Sequence, residues 1–175
     1  MSREGVRTDI PICIWPGGWE GNLRHAVVDN IITNRSMTHI LLVWRSEAEI
    51  EGGKWALPGG YVDPGDTVVG TVHNETSQVT GQRLGALALF RIVDNPHRRN
   101  EQVGDISFVF ASNVEDPDTY GEFMVDDPDR GVTKARWFEL ADFPPEEATA
   151  FDHYQIVMAY RDDPATYPLD LFISS

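Results

Sequence analysis

The sequence predicts an α/β fold, an α/β/α sandwich in which a central mixed β-sheet is covered by a helix on each face. Three observations carry this expectation. Strand-like runs occur before, between and after two helical stretches, and they lack the regular βαβ alternation of an all-parallel sheet. A chain of 175 residues with 41% hydrophobic composition is long enough to close one core without disulfides or a structural metal. A single domain over residues 1–175 follows, with about the first 20 residues and the stretch 164–175 peripheral to it.

The elements can be taken in order. Residues 26–33, AVVDNIIT, and 39–45, HILLVWR, are rich in β-branched and aliphatic side chains and flank a turn at 34–38, which reads as a hairpin. A charged, Gly-containing loop, 47–54, leads into WALPGGYVDPGD, whose Pro and Gly residues exclude a long regular element. Residues 67–80 then read as a helix, with Asp66 or Thr67 as N-cap and Gly81 in the left-handed position that ends it. Val68, Val69, Thr71, Val72, Thr76 and Val79 are all β-branched, so this helix is poor by propensity and must be held by packing.

Segments 85–94 and 104–112 are strand-like and joined by a polar loop, 95–103. The acidic stretch 114–131 is expected to be a long mobile loop. KARWFEL, 134–140, reads as a last strand, and 146–163 contains a closing helix that buries Phe151, Ile156 and Val157 or Tyr160. The tail 164–175 is irregular and has no assigned element.

Fourteen Lys and Arg against 28 Asp and Glu give a net charge of -14, so the surface repels nucleic acid unless basic residues gather in one place, and no such cluster is visible. A polyphosphate ligand would be repelled too, unless a divalent cation such as Mg²⁺ or Mn²⁺ stands between its phosphates and the protein's carboxylates. No apolar run approaches the roughly 20 residues needed to span a bilayer, so no membrane partner is expected. The polar N-terminus and the single Cys13 point to a cytoplasmic protein.

The segment WALPGGYVDPGDTVVGTVHNETSQVTGQ, 55–82, resembles the Nudix box with its approach strand, G-x5-E-x7-R-E-U-x-E-E-x-G-U with U a bulky aliphatic. Gly60 stands at the first glycine, Asp66 at the first acid, Asn74 at the arginine, Glu75 at the next acid, Gln78 and Val79 at the last two acids, and Gly81 at the closing glycine. DNPHR, 94–98, before the strand GDISFVF, and AFDHYQIV, 150–157, are similar to segments of the ADP-ribose pyrophosphatase-like Nudix group. RNEQ, 99–102, departs from that group's pattern. The matches run from about residue 26 to residue 160, nearly the whole chain.

The resemblance implies a Nudix-type hydrolase of a nucleoside diphosphate linked to another moiety, ADP-ribose-like, with Mg²⁺ or Mn²⁺ as cofactor. It implies substrate contacts at Gly59, Gly60 and Arg98, metal ligation by Glu75, Gln78 and Asp66, and catalysis by Glu75 with a carboxylate from the acidic loop, foremost Glu122, with Asp126 and Asp127 as alternatives. Glycines at 59 and 60 would bring backbone amides close to phosphate, and the following helix N-terminus favours anions. Positions 75, 78 and 79 share one helical face, where the family's three glutamates would hold metal and activate water.

Here Glu75 alone remains of the three; Gln78 is a neutral oxygen ligand and Val79 is none, so the metal should bind weakly. The expected partner is a nucleotide-type small molecule. The alternative is a non-catalytic module that binds such a nucleotide, and a purely structural role is a third option. The resemblance also implies a homodimer. A DNA-binding repressor of this group is not expected, given the acidic charge and the short chain after the Nudix region. Asp63 and Asp66 fit turn and cap chemistry as well as metal binding. His153 reads as a structural residue at a helix start, since the sequence offers it no obvious partner. Trp15, Trp19 and Trp44 could stack on a base, although large aromatics are more often packed.

Overall fold

The computed structural model describes residues 12–14, 16–18, 20–22, 24–81, 84–95, 98, 104–117, 120–127 and 131–172. Its strands are β1 (Ile12–Ile14), β2 (Glu20–Asn22), β3 (Ala26–Asn34), β4 (His39–Arg45), β5 (Trp55–Ala56), β6 (Gly59–Tyr61), β7 (Leu87–Asp94), β8 (Ile106–Val114), β9 (Glu122–Asp127) and β10 (Val132–Glu139). The two helices are α1 (Val68–Thr80) and α2 (His153–Asp162). Strands β1 and β2 form a small antiparallel pair. The main sheet runs β7-β8-β3-β4-β10-β9, with β5 added to β4 and β6 added to β3. It is mixed: β3 pairs parallel with β8, while its other pairings are antiparallel. No helix of the described residues is long and apolar enough to cross a membrane.

The central strands are buried because both faces are covered. Ile40, Leu41, Leu42 and Val43 of β4 are all nearly inaccessible, the continuous apolar run of a strand with a layer on each side. Alternation sorts them. Ile40 and Leu42 pack with Ile31, Trp55, Ile156 and Val157 beneath α2. Leu41 and Val43 pack on the other face with Ile32, Val125, Ala135 and Trp137, against which Val79 of α1 rests.

Helix α1 starts at Thr67, whose Oγ1 accepts the Gly70 N–H at 3.0 Å, so of the two cap candidates it is Thr67 that serves. It ends at Gly81, φ 66°, where the cap N–H donates to the Ser77 carbonyl. Its buried face is Thr71, Val72, Glu75 and Thr76, and the packing of these residues on β3 and β8 holds a sequence with little intrinsic helicity. In α2, Ile156, Val157 and Tyr160 are buried with His153, while Phe151 precedes the helix in a turn with φ 55°.

Two expectations are corrected. The acidic stretch 114–131 is not all loop: Glu122–Asp127 pairs antiparallel with β10, with Phe123 opposite Ala135, and forms one edge of the sheet. An edge strand has a single neighbour and little need for apolar residues on both faces, so its acidic composition concealed it. The tail is not irregular throughout. Tyr167 and Leu89 exchange both backbone hydrogen bonds, at 2.7 and 3.0 Å, and Phe172 stacks on Phe110 at a centroid distance of 5.8 Å.

Candidate functional site

The turn between β5 and β6 runs on into Gly59 and Gly60, the first residues of β6, and this glycine turn lies on β3. Gly59 is opposite Asp29 and Gly60 opposite Val28, and the Asn30 N–H donates to the Pro58 carbonyl at 2.8 Å. Close approach requires glycine at 59, where backbone lies in the way, and favours it at 60, where the end of a side chain does. A Cβ on Gly59 would lie 2.1 Å from the Val28 carbonyl oxygen, and one on Gly60 would lie 2.7 Å from Glu75 Oε1. Glu75 is therefore seated directly against the turn, 4% exposed on the sheet-facing side of α1.

Glu75, Gln78 and Gly59 line one small cavity of ≈ 20 Å³, closed by Val43, Pro58, Val79, Val125 and Val132. It has room for about one water. Anything larger must rest on its open side, where Gly59 and Gln78 are exposed. The structure thus brings Glu75 and Gln78 to Gly59 and Gly60 as the register requires. Asn74, in the place of the family's arginine, points to solvent. A larger depression of ≈ 400 Å³ lies among Arg35, Leu84, Gly85 and Asn113, and none of the residues that line it belongs to the 55–81 segment.

The other metal and catalytic candidates lie elsewhere. Asp66 is exposed in the turn before the N-cap, its N–H donating to the Asp63 carbonyl. Helix α1 begins beyond it, at Val68, and carries Glu75 roughly 10 Å further along the axis, and Asp66 is not among the residues that line the Glu75 cavity. Glu122 sits opposite Arg136 on β9, and its Oε2 is 3.0 Å from Lys134 Nζ. Lys134 lies over the Trp44 and Trp55 rings, on the α2 face of the sheet. Glu122 therefore belongs to the face opposite Glu75. Asp126 and Asp127 end β9, and their side chains lie outside the described ones. Among the described residues no group of three or more His, Cys, Asp or Glu could hold a metal ion.

Arg98 is turned inward. Its Nη2 donates to Asp29 Oδ2 and its Nε to Asp152 Oδ1, both at 2.7 Å, and its guanidinium lies 5.7 Å from the Phe151 ring centroid. Ser107 Oγ also donates to Asp29. His153 Nδ1 accepts the Leu57 N–H at 2.9 Å, which leaves the ring proton on Nε2, 3.2 Å from Asp29 Oδ1. Burial works to raise the pKa of Asp29, but Arg98, His153 and the hydrogen bonds outweigh it and hold the carboxyl well below the usual range. Arg98 is correspondingly raised: burial opposes its charge, and Asp29 and Asp152 more than restore it.

Three sequence segments converge here. Ala150 donates its N–H to the Trp55 carbonyl, Asp152 and His153 follow, Arg98 comes from the 94–98 stretch, and Leu57 to Gly60 come from the approach to the helix. Sequence reasoning missed Asp29 and Asn30. The available signal was an acid and an amide side by side between Val27-Val28 and Ile31-Ile32 in a strand. His153 has the partners that the sequence did not reveal. Trp44 is packed edge-on to Trp55 at 5.0 Å, and Trp15, Trp19, Pro96, His97 and residues 99–102 lie outside the described residues.

A mixed sheet between two helices, with a glycine turn seated on a helical glutamate, defines the class, and comparison with known proteins agrees. Residues 23–160 match the NUDIX domain family, and the chain belongs to it. It is 32% identical over 133 residues to an ADP-ribose pyrophosphatase of Methanocaldococcus jannaschii, covering 76% of this chain and 70% of that one. In fold it is similar to the NUDIX domain of Shewanella oneidensis NrtR, solved with ADP ribose, with a TM-score of 0.66 and 22% identity over 83% of this chain and 91% of that one. It is also similar to a bifunctional NMN adenylyltransferase/ADP ribose pyrophosphatase of Francisella tularensis, solved with AMP and a Mn ion. That match has a TM-score of 0.65 and 22% identity, and covers 82% of this chain and 42% of that one.

Proposed function

We propose that this chain is a Nudix-type hydrolase of a nucleoside diphosphate linked to another moiety, ADP-ribose-like, with metal-dependent activity weakened relative to a complete box. The observation that carries the reading is the seating of Glu75 against Gly60, beside an exposed Gly59, at the cleft where the family handles phosphate. The similarity to a relative named for ADP-ribose pyrophosphatase supports the substrate class.

The donor set does not fit a divalent cation held by protein alone. One carboxylate and one amide are present on the helical face, and four valines, Pro58 and Gly59 make up the rest of the cavity wall. A Mg²⁺ or Mn²⁺ ion at this face would take most of its anionic oxygens from the ligand's own diphosphate, so cation and nucleotide should bind cooperatively. Gly59, exposed at the start of β6, would present its amide to the phosphates, while the Gly60 N–H is taken up by the ladder opposite Val28 and the missing Cβ there leaves room for Glu75. Arg98 would act from behind the turn, through Asp29 and Asp152. The net charge of -14 speaks against nucleic acid as a partner, and we infer a cytoplasmic protein, with a homodimer implied by family resemblance alone.

The second reading, a nucleotide-binding module without turnover, is favoured by Val79 at the position of a family acid. One experiment separates the two. Incubate the protein with ADP-ribose, other nucleotide sugars and nucleoside triphosphates, with Mg²⁺ and then Mn²⁺, and measure products beside calorimetric binding. Slow release of products from ADP-ribose supports the hydrolase; binding without products supports the module; neither binding nor turnover sinks both.

A further inference from the structure

Strand β3 carries Asp29 and Asn30 side by side in the middle of an apolar run, and both are buried. The pleat sends them to opposite faces of the sheet. Asn30 reaches α1: its Nδ2 donates to Thr76 Oγ1 at 2.7 Å, and its Oδ1 accepts from Ser112 Oγ at 3.0 Å. Thr76 is the neighbour of Glu75. Asp29 reaches the opposite face, where Arg98 and Ser107 hold Oδ2 and His153 Nε2 lies 3.2 Å from Oδ1.

The turn is gripped between them at successive residues. Leu57 N–H is held by His153 Nδ1, the Pro58 carbonyl by the Asn30 N–H, and Gly59 by packing, since a Cβ there would come within 3.0 Å of Asp29 Oδ1. From the other side Gly60 meets Glu75. A buried ion-pair network is often no more stabilising than apolar packing of the same volume, so its directional bonds are better explained by the geometry they impose.

We propose that Asp29 and Asn30 are positioning residues: Asp29, acting through His153, sets the depth of the Gly59–Gly60 turn, and Asn30, acting through Thr76, sets the height of Glu75 against it. Together they fix how far the Gly59 amide stands from the carboxylate, and hence how well a nucleoside diphosphate is gripped. The ligand part of this inference rests on the proposed function; the positioning part does not.

The test uses the full chain, labelled with ¹⁵N, and three variants: His153→Leu, His153→Gln and Thr76→Val. Amide resonances of Gly59 and Gly60 report the turn, and calorimetry with ADP-ribose and Mg²⁺ reports the grip. His153→Leu removes the acceptor of the Leu57 N–H, so both glycine resonances should shift and affinity should fall about tenfold, the worth of one lost hydrogen bond. His153→Gln offers a side-chain oxygen to the same N–H and should recover affinity to within about threefold of the parent. Thr76→Val is isosteric and should leave a cooperative melt while shifting Gly60 and weakening binding about threefold.

Unshifted glycine resonances with affinity within about twofold of the parent in His153→Leu and Thr76→Val would overturn the proposal. So would a His153→Gln variant as impaired as His153→Leu. Should His153→Leu fail to fold, Thr76→Val and His153→Gln decide alone. If the parent itself binds no ADP-ribose, the proposed function has failed, and the glycine resonances still judge the positioning.

Discussion

Two helices approach the Gly59–Gly60 turn, one from each face of the sheet, and the two faces have kept different things. On the α2 face Asp29, Arg98, Asp152 and His153 form a network of ion pairs and close polar contacts, each member buried or nearly so. On the α1 face a single carboxylate, Glu75, stands among Val43, Val79, Val125 and Val132. The shape of a phosphate-facing turn and the chemistry done on it are thus separable properties. In this chain ion pairs hold the first, while the helical face beside it presents one carboxylate, one amide and one valine, Glu75, Gln78 and Val79.

The largest effect is expected where that network is broken. Arg98→Ala leaves Asp29 buried with its main charge partner gone and should cost about 3–5 kcal/mol in chemical denaturation. The same network predicts acid sensitivity. Asp29 has a depressed folded-state pKa, so its contribution is complete above its unfolded value and is lost as pH falls towards the folded one. Stability of the parent should decline steeply below about pH 4. An Asp29→Asn variant, already lacking that contribution, should start lower and decline less; equal slopes would show that the acid response arises elsewhere.

Gly60→Ala comes next. The added Cβ meets the far end of Glu75, which can move, so we expect about 1–3 kcal/mol of destabilisation. Cation-assisted nucleotide binding should suffer more than melting temperature does, and a variant that melts early yet binds normally would contradict the seating of Glu75 against the turn as the functional contact.

Restoring acids on the α1 face sharpens the comparison from the other side. The pair Gln78→Glu and Val79→Glu should raise Mg²⁺ affinity at least about tenfold by calorimetry and create or strengthen diphosphate hydrolysis. A folded double variant with the parent's Mg²⁺ affinity would mean that the register of the box, or the reading of its losses, is mistaken.

The smallest effect is expected at Glu122. Its ion pair with Lys134 is partly exposed and lies on the face opposite Glu75, so Glu122→Gln should change stability by no more than about 0.5 kcal/mol. Product release, where it is measurable, should be unaffected. Loss of turnover in a normally folded Glu122→Gln protein would show that the edge strand reaches the site by a rearrangement.

Much of the fold was legible because local rules and the tertiary fold agree. Gly81 ends α1 where a left-handed residue was expected, and the aliphatic runs of β3 and β4 became central strands. β9 was hidden because an acidic edge strand with one neighbour resembles a loop in composition. The tail was hidden because the partners of Tyr167 and Phe172, Leu89 and Phe110, are remote in sequence.

For the site, spacing along a helix was enough to place Glu75 and Gln78 together and to expose the missing carboxylates, since residues three apart on one helix share a face whatever surrounds it. Nothing comparable relates residues on different elements. That Glu122 faces away from Glu75 depends on strand pairing, where a shift of one residue exchanges the faces. That Arg98 points inward, and that His153 finds Leu57 on one side and Asp29 on the other, follows from bringing four distant segments together in a core where each charge must find a partner. Periodicity and capping act over a few residues and are written in the sequence itself, whereas the pairing of buried charges is decided only when the sheet has closed.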